Sequence, residues 1–271
     1  MVRGLDVFKE FFSGMEENYV IIGGTACNIH EEEMQQEPRA TKDIDLVLVV
    51  EALSDAFVRR FWEFIKTGGY EQRQRGESDE EETERKNEYF RFIKPEDKSF
   101  PKQIELFSRN LGLMDIPEDV HITPIPAGED LSSLSAILMD DDYYDFTIRF
   151  SDLVGGVHYA NPESLICLKA KAFLDMTKRK AEGGDEDQND IDKHKKDVFR
   201  MIPALNEETR FSLPPKIEKD MREFLNVISN DLPGKELFKA MRLPRLNAEM
   251  LVEKARKIFL GTEQAPESCL Q

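Results

Sequence analysis

The chain is poor in cysteine, histidine and tryptophan, and poor in positive charge. Its three cysteines, Cys27, Cys167 and Cys269, show no CxxC spacing and no paired histidine. That pattern excludes a zinc-binding framework and a disulfide scaffold. Cys27 and Cys167 lie in apolar helical patterns and read as small core residues. The four histidines, His30, His121, His158 and His194, have no ligand spacing, and His194 in the run KHKK reads as a solvated or capping residue. No apolar run reaches membrane-spanning length, so no membrane partner is expected. The opening residues, MVRGLDVFKEFF, carry charge too early for the apolar stretch of a signal peptide, and the expected location is cytoplasmic.

Lys and Arg number 37 against 54 Asp and Glu, a net charge of -17. This argues against a broad nucleic-acid-binding surface, because such affinity rests on phosphate neutralisation. A local basic patch remains compatible with RNA. Much of the negative charge falls in two runs, residues 77–84 (ESDEEETE) and 185–192 (DEDQNDID), which read as solvated loops. At 271 residues with 40% hydrophobic content, the chain can bury one large core or two small ones.

The stretch 19–46 organises the rest. Tyr19, Val20, Ile21 and Ile22 form an apolar strand pattern ending at Gly23-Gly24, with a short helix opening at Thr25. A Gly-Gly turn lets the backbone approach a phosphate closely, and the N–H groups of a following helix face an anion. Asp43 and Asp45 open a second apolar strand that runs on through residue 50, in the manner of a central strand. Residues two apart on a strand share a face, so this carboxylate pair is suited to a divalent metal.

Apolar residues recur at helical spacing over 5–17, 52–67, 161–182, 190–205, 215–229 and 247–260. Strands are predicted over 70–75, 87–93 and 102–107, with further strands or edge ribbons at 121–124, 135–139, 146–150 and 157–160. Residues 140–145 (DDDYYD) read as an acidic turn. The expected organisation is a mixed-sheet α/β (α+β) domain over 1–155, a helical domain over 156–260 and a disordered tail from 261 to 271.

An apolar strand, Gly-Gly-Thr, then Asp-Ile-Asp on a second strand resembles the nucleotidyltransferase superfamily that includes polymerase beta. Within it, Gly23-Gly24-Thr25-Ala26 and Arg39-Ala40-Thr41-Lys42-Asp43-Ile44-Asp45-Leu46 look like the GGTA and RxSxDIDL motifs of the AbiEii-type toxin nucleotidyltransferases. Thr25 stands where many members have Ser, and the loop between the motifs is long. In the helical half, 165–172 (LICLKAKA) and 193–200 (KHKKDVFR) look like the paired downstream motifs, so the similarity spans most of residues 19–205.

The resemblance implies transfer of a nucleoside monophosphate from an NTP to a hydroxyl. Asp43 and Asp45 would coordinate two Mg²⁺ ions, and Glu105, on a later strand where the superfamily keeps its third acid, would join them. Asp145 is its rival. Gly23, Gly24 and Thr25 would cradle the phosphates. Lys169 would steady the triphosphate, favoured over Lys171 because Ala172 completes a Lys-x-x-Ala spacing, and Asp197 would orient that lysine or the base. Arg39 and Lys42 flank the acids. The acceptor is an RNA such as a tRNA end, a protein side chain or a small molecule, and a cognate antitoxin protein is an implied partner. The basic runs 178–180 and 193–196 read equally as an RNA-facing patch or as solvated helix face. An aminoglycoside-like cationic acceptor suits the acidic surface, and a nucleotide-binding interaction protein without turnover is the non-enzymatic alternative.

Overall fold

In the computed structural model, which describes residues 2–71, 90–107 and 140–261, the apolar run after Asn18 forms β1 (Tyr19–Ile22), buried along its whole length. Antiparallel to it runs β2 (Asp43–Leu48), with Tyr19 opposite Leu48 and Ile22 opposite Asp45. On the other side of β2 lies β4 (Gln103–Phe107), parallel, and β3 (Phe90–Ile93) closes that edge antiparallel to β4. A hairpin of β5 (Ser151–Val154) and β6 (Val157–Ala160) completes the sheet, with β6 parallel to β1. The order β3-β4-β2-β1-β6-β5 gives a six-stranded mixed sheet among the described residues. The chain is thus an α/β protein of the expected mixed kind.

One sheet face is covered by α1 (Leu5–Phe11) and α3 (Asp55–Gly68). Phe8, Phe12, Tyr19, Phe57, Phe61 and Phe64 interlock there, Phe8 and Phe12 with ring centroids 4.5 Å apart. α3 begins where the Ser54 hydroxyl accepts the Phe57 N–H at 3.2 Å and ends at Gly69, whose φ of 60° is left-handed. α1 is shorter than the predicted 5–17 because Gly14 turns left-handed at φ 82°, and only a 3₁₀ turn, Glu16–Asn18, follows.

The expected strand at 146–150 is a correction: those residues end or follow α4 (Asp141–Arg149). The acidic run before them is the start of a helix, where carboxylates favour the positive end of the dipole. Tyr143, Tyr144, Phe146 and Thr147 make its buried side. Downstream come α5 (Pro162–Ala181), α6 (Gln188–Met201), α7 (Pro215–Ile228), a short α8 (Lys235–Ala240) that periodicity did not reveal, and α9 (Ala248–Phe259). The run 185–192 is only partly loop, since Asp187 caps α6 by accepting the Asn189 N–H at 2.8 Å.

A boundary after residue 155 falls in the β5–β6 turn, between Gly155 and Gly156. The sheet therefore extends to Ala160, and α2 (Gly23–Glu33) packs against both α5 and α6. One cluster of buried apolar side chains includes Phe8 and Phe57 from the sheet half and Leu168, Phe224 and Phe259 from the helical half. The predicted strands at 121–124 and 135–139, the acidic run 77–84, most of 70–75 and the tail from 262 lie outside the described residues, although Glu71 does bridge Ile93. No helix among the described residues is long and apolar enough to cross a membrane.

Candidate functional site

Pairing register assembles the acids. Asp45 lies opposite Glu105 on the parallel strand β4, and Glu105 opposite Arg91 on β3. Residues opposite one another share a sheet face, so Arg91, Glu105 and Asp45 form a row with Asp43 and Gln103 in the next. The alternate residues Ile44, Leu46, Phe92 and Ile104 are buried. Glu105 Oε1 accepts from Arg91 Nε at 2.7 Å and from Gln103 Nε2 at 2.9 Å. Burial, and then the Glu105 charge, pushes the Asp45 carboxyl up to about 7, against the pull of Lys169. Burial likewise raises Glu105, with Arg91 opposing it.

The glycine turn closes over these acids. Gly23 has φ 68°, and a Cβ at that position would collide with the Asp45 carboxylate. A Cβ at Gly24 would stand 2.8 Å from Thr41 Oγ1 and 3.3 Å from an Arg39 guanidinium nitrogen. Gly24 lines the cleft described below. Thr25 behaves differently from the expected phosphate ligand: it is fully buried and its hydroxyl donates to the Asp43 carbonyl at 2.6 Å. Its role is to fasten α2 to the start of β2.

Helices α5 and α6 supply the opposite side. Lys169 Nζ lies 3.2 Å from Asp197 Oδ2, and Arg39 Nε lies 3.2 Å from Asp197 Oδ1. Burial alone would raise Asp197, but Lys169 and Arg39 hold it below the usual carboxylate range. Burial alone would lower Lys169, but Asp197 and more distant anions including Asp45 hold it above its usual value. The Arg39 N–H donates to Glu31 Oε2 at 3.0 Å, and Glu31 Oε1 accepts from Arg200 at 3.2 Å, so the group is anchored deep in the helical half. The structure thus brings Lys169 and Asp197 together, with Lys169 reaching the cleft and Asp197 behind it.

The remaining sequence candidates lie elsewhere. Lys171 pairs with Asp175 at 2.9 Å and with Asp220 at 3.5 Å, away from the cleft lining. Lys42 is exposed and outside the lining, and Asp145 is exposed on α4. The two basic runs do not form one cationic face, because Arg179 pairs with Glu186 and the buried Lys195 pairs with Asp231.

Between the two sides is a cleft of about 850 Å³. Asp43, Asp45 and Glu105 line one wall, Lys169, Lys193 and His194 another, and the α5–α6 loop contributes Asp185 and Glu186. Arg91 escaped the sequence reading, and Lys193 and His194 entered it only as members of the KHKK run. His194 is three residues before Asp197 on α6, hence on the same helix face, and that spacing was the available signal. Contrary to the solvated reading, its ring is half-buried, and its Nδ1 is shut from solvent without a hydrogen-bond partner among the described residues. Burial, followed by Lys169, Lys193 and Arg39, pushes its pKa down to about 3 against Asp197.

Among the described residues, no group of three or more Asp, Glu, His or Cys side chains stands positioned to hold a metal ion. The donor chemistry fits Mg²⁺ nonetheless, since carboxylate oxygens are its preferred protein ligands and Asp45 and Glu105 are adjacent acids that burial has pushed up. Glu105 would exchange or share its contact with Arg91. The chain matches no protein-family model, no curated protein and no solved structure.

Proposed function

We propose that the chain is a Mg²⁺-dependent nucleotidyltransferase that moves a nucleoside monophosphate from an NTP to a hydroxyl acceptor. The observation that carries this reading is the register that sets Asp45 beside Glu105, with Asp43 on the same face, on one wall of a cleft whose other wall bears Lys169 and Lys193. The motif resemblance to AbiEii-type toxins supports it, and with it an RNA or protein acceptor and a cognate antitoxin as partners.

In this reading Asp43, Asp45 and Glu105 would hold the ions, which would supply charge neutralisation at the phosphates and a lowered pKa at the attacking hydroxyl. Gly24 leaves room for a phosphate where any side chain would meet Thr41. Lys169 and Lys193 balance the charge of the triphosphate, as cations do in phosphoryl transfer generally. The acceptor oxygen bonds to the α-phosphorus, the bond from that phosphorus to the bridging oxygen breaks, and pyrophosphate leaves with the electron pair. Glu105, on the cleft wall beside Asp45, would take the hydroxyl proton.

A second reading, a cationic small-molecule acceptor of the aminoglycoside kind, is favoured by Glu182, Asp185, Asp187 and Asp190 along the same cleft. Calorimetric titration of the four NTPs with Mg²⁺ tests the donor site. Binding is expected in the native chain and is expected to vanish in the double variant Asp43→Asn, Asp45→Asn. Absence of binding to every NTP would overturn the proposal. Incubation of the native chain with labelled NTP and RNA, protein or aminoglycoside then separates the acceptors, and binding without transfer to any of them would leave a nucleotide-binding protein.

A further inference from the structure

His194 is a polar ring that lines the cleft half-buried, with a ring nitrogen sealed from water and without a hydrogen-bond partner among the described residues. A buried polar atom without a partner costs stability, and such atoms are few in folded proteins. Architecture does not account for this one. Among the described residues its Nδ1 ties the ring to no neighbouring element, whereas Lys195, the next residue, ties α6 to Asp231.

The surroundings of the ring select its ligand. Lys169 from α5, Arg39 from the segment before β2 and Lys193 from α6 itself all act on it electrostatically, with Asp197 opposing them. Asp190, one turn earlier on α6, also lines the cleft. A neutral imidazole amid three cations is a poor seat for a metal ion, which their charge repels. An anion meets the opposite situation: cations attract it, and an imidazole N–H donates to it without further charge having to be buried. Lys169 and Lys193 also act on the Asp45 carboxylate across the cleft, so an anion held here lies next to the acids.

We propose that His194 and Lys193 form, with Lys169, a subsite for the polyphosphate chain of the nucleotide, on the helical wall facing Asp43 and Asp45. The inference rests on the nucleotidyltransferase reading and adds the His194 ring to its two lysines. It assigns the ring a binding function: a small rotation of the half-buried ring would bring Nδ1–H to a phosphate oxygen as donor, which gives the sealed nitrogen its partner.

The test is calorimetric titration of the full chain with tripolyphosphate and with ATP, each with Mg²⁺, in the native protein, His194→Asn and Lys193→Met. Loss of a hydrogen bond to a charged group is expected to weaken both ligands about 10- to 100-fold in His194→Asn. Lys193→Met is expected to weaken them about 5-fold or more. AMP, which lacks the chain of phosphates, is expected to bind all three proteins alike. In the native protein the side-chain ¹⁵N resonances of His194, identified by their loss in His194→Asn, are expected to move on adding tripolyphosphate, a response that a purely structural ring would not give. Native protein that binds both ligands, with variants binding them equally well and the ring resonances unmoved, would overturn the subsite and leave nucleotidyl transfer standing. Native protein that binds neither would overturn both. Lys193 is exposed, so Lys193→Met keeps the fold and decides the matter should His194→Asn not fold.

Discussion

On the helical side of the cleft, Asp197 sits between Lys169 and Arg39, each 3.2 Å away. On the strand side, Asp45 lies in register beside another acid, Glu105, and forms no ion pair among the described residues. Asp197 is buried and Asp45 is half-buried at the cleft wall, and their proton affinities move in opposite directions: Asp197 is held low by its two cations and Asp45 is pushed up to about 7. A buried charge that the protein itself compensates belongs to the architecture. One left uncompensated has a stabilising partner only when a cation arrives from outside.

The contrast breaks most visibly at Asp197. Asp197→Ala would leave Lys169 buried beside no counter-ion, at a cost of about 3–5 kcal/mol in urea unfolding. Asp45→Asn, in contrast, is expected to leave stability unchanged or to raise it by about 1 kcal/mol, because it relieves repulsion from Glu105. Equal losses in the two variants would show that the two carboxylates are not different in kind.

Gly23→Ala probes the strand side from above. It forces a side chain onto a left-handed residue and into the Asp45 carboxylate, and is expected to cost about 2–3 kcal/mol. The part of that loss due to the collision should be recovered in Gly23→Ala, Asp45→Ala, which removes the obstructing carboxylate, while the backbone strain remains. Additive losses in the cycle would place the strain elsewhere.

The two sides also differ in their response to pH. Asp45, at about 7 in the fold against roughly 3.9 in the unfolded chain, favours the fold when protonated. Its contribution is complete below about pH 4 and lost as pH rises through 7. Asp197, held low, contributes above the unfolded value and is lost as pH falls below about 4. With a chelator present, stability is therefore expected to decline by about 1–3 kcal/mol between pH 5 and pH 8, and the decline should shrink in Asp45→Asn. A slope unchanged by that substitution would assign the titration to another group.

The smallest effect is expected at Thr25. Thr25→Val removes the hydrogen bond to the Asp43 carbonyl and should cost about 1 kcal/mol, with NTP affinity nearly unchanged. A large loss of affinity at full stability would return the hydroxyl to the phosphates.

The elements were readable where one local rule sufficed. The apolar β1, the paired aspartates of β2 and the helices α3 and α5 follow from strand alternation and helical spacing confined to a few residues. Misreadings arose where a short segment satisfied two patterns. Residues 146–150 alternate apolar and polar well enough for a strand, but Asp141 and Asp142 start a helix, and the buried side formed by Tyr143 and Thr147, four residues apart, sustains it.

Asp43 and Asp45 share a face wherever β2 lies, because side chains alternate along any extended backbone. That Glu105 stands beside Asp45, and Arg91 beside Glu105, depends on which strands pair and in what register. Those pairings are set by contacts between residues tens of positions apart. The Lys169–Asp197 pair was foreseeable as a helix-borne cation and acid, but its completion by Arg39 from the segment before β2 was not. The identity of His194 as a cleft residue was least foreseeable of all. Within KHKK every neighbour suggests water, and only the packing of α5 against α6 turns that one ring inward while Lys196 stays exposed.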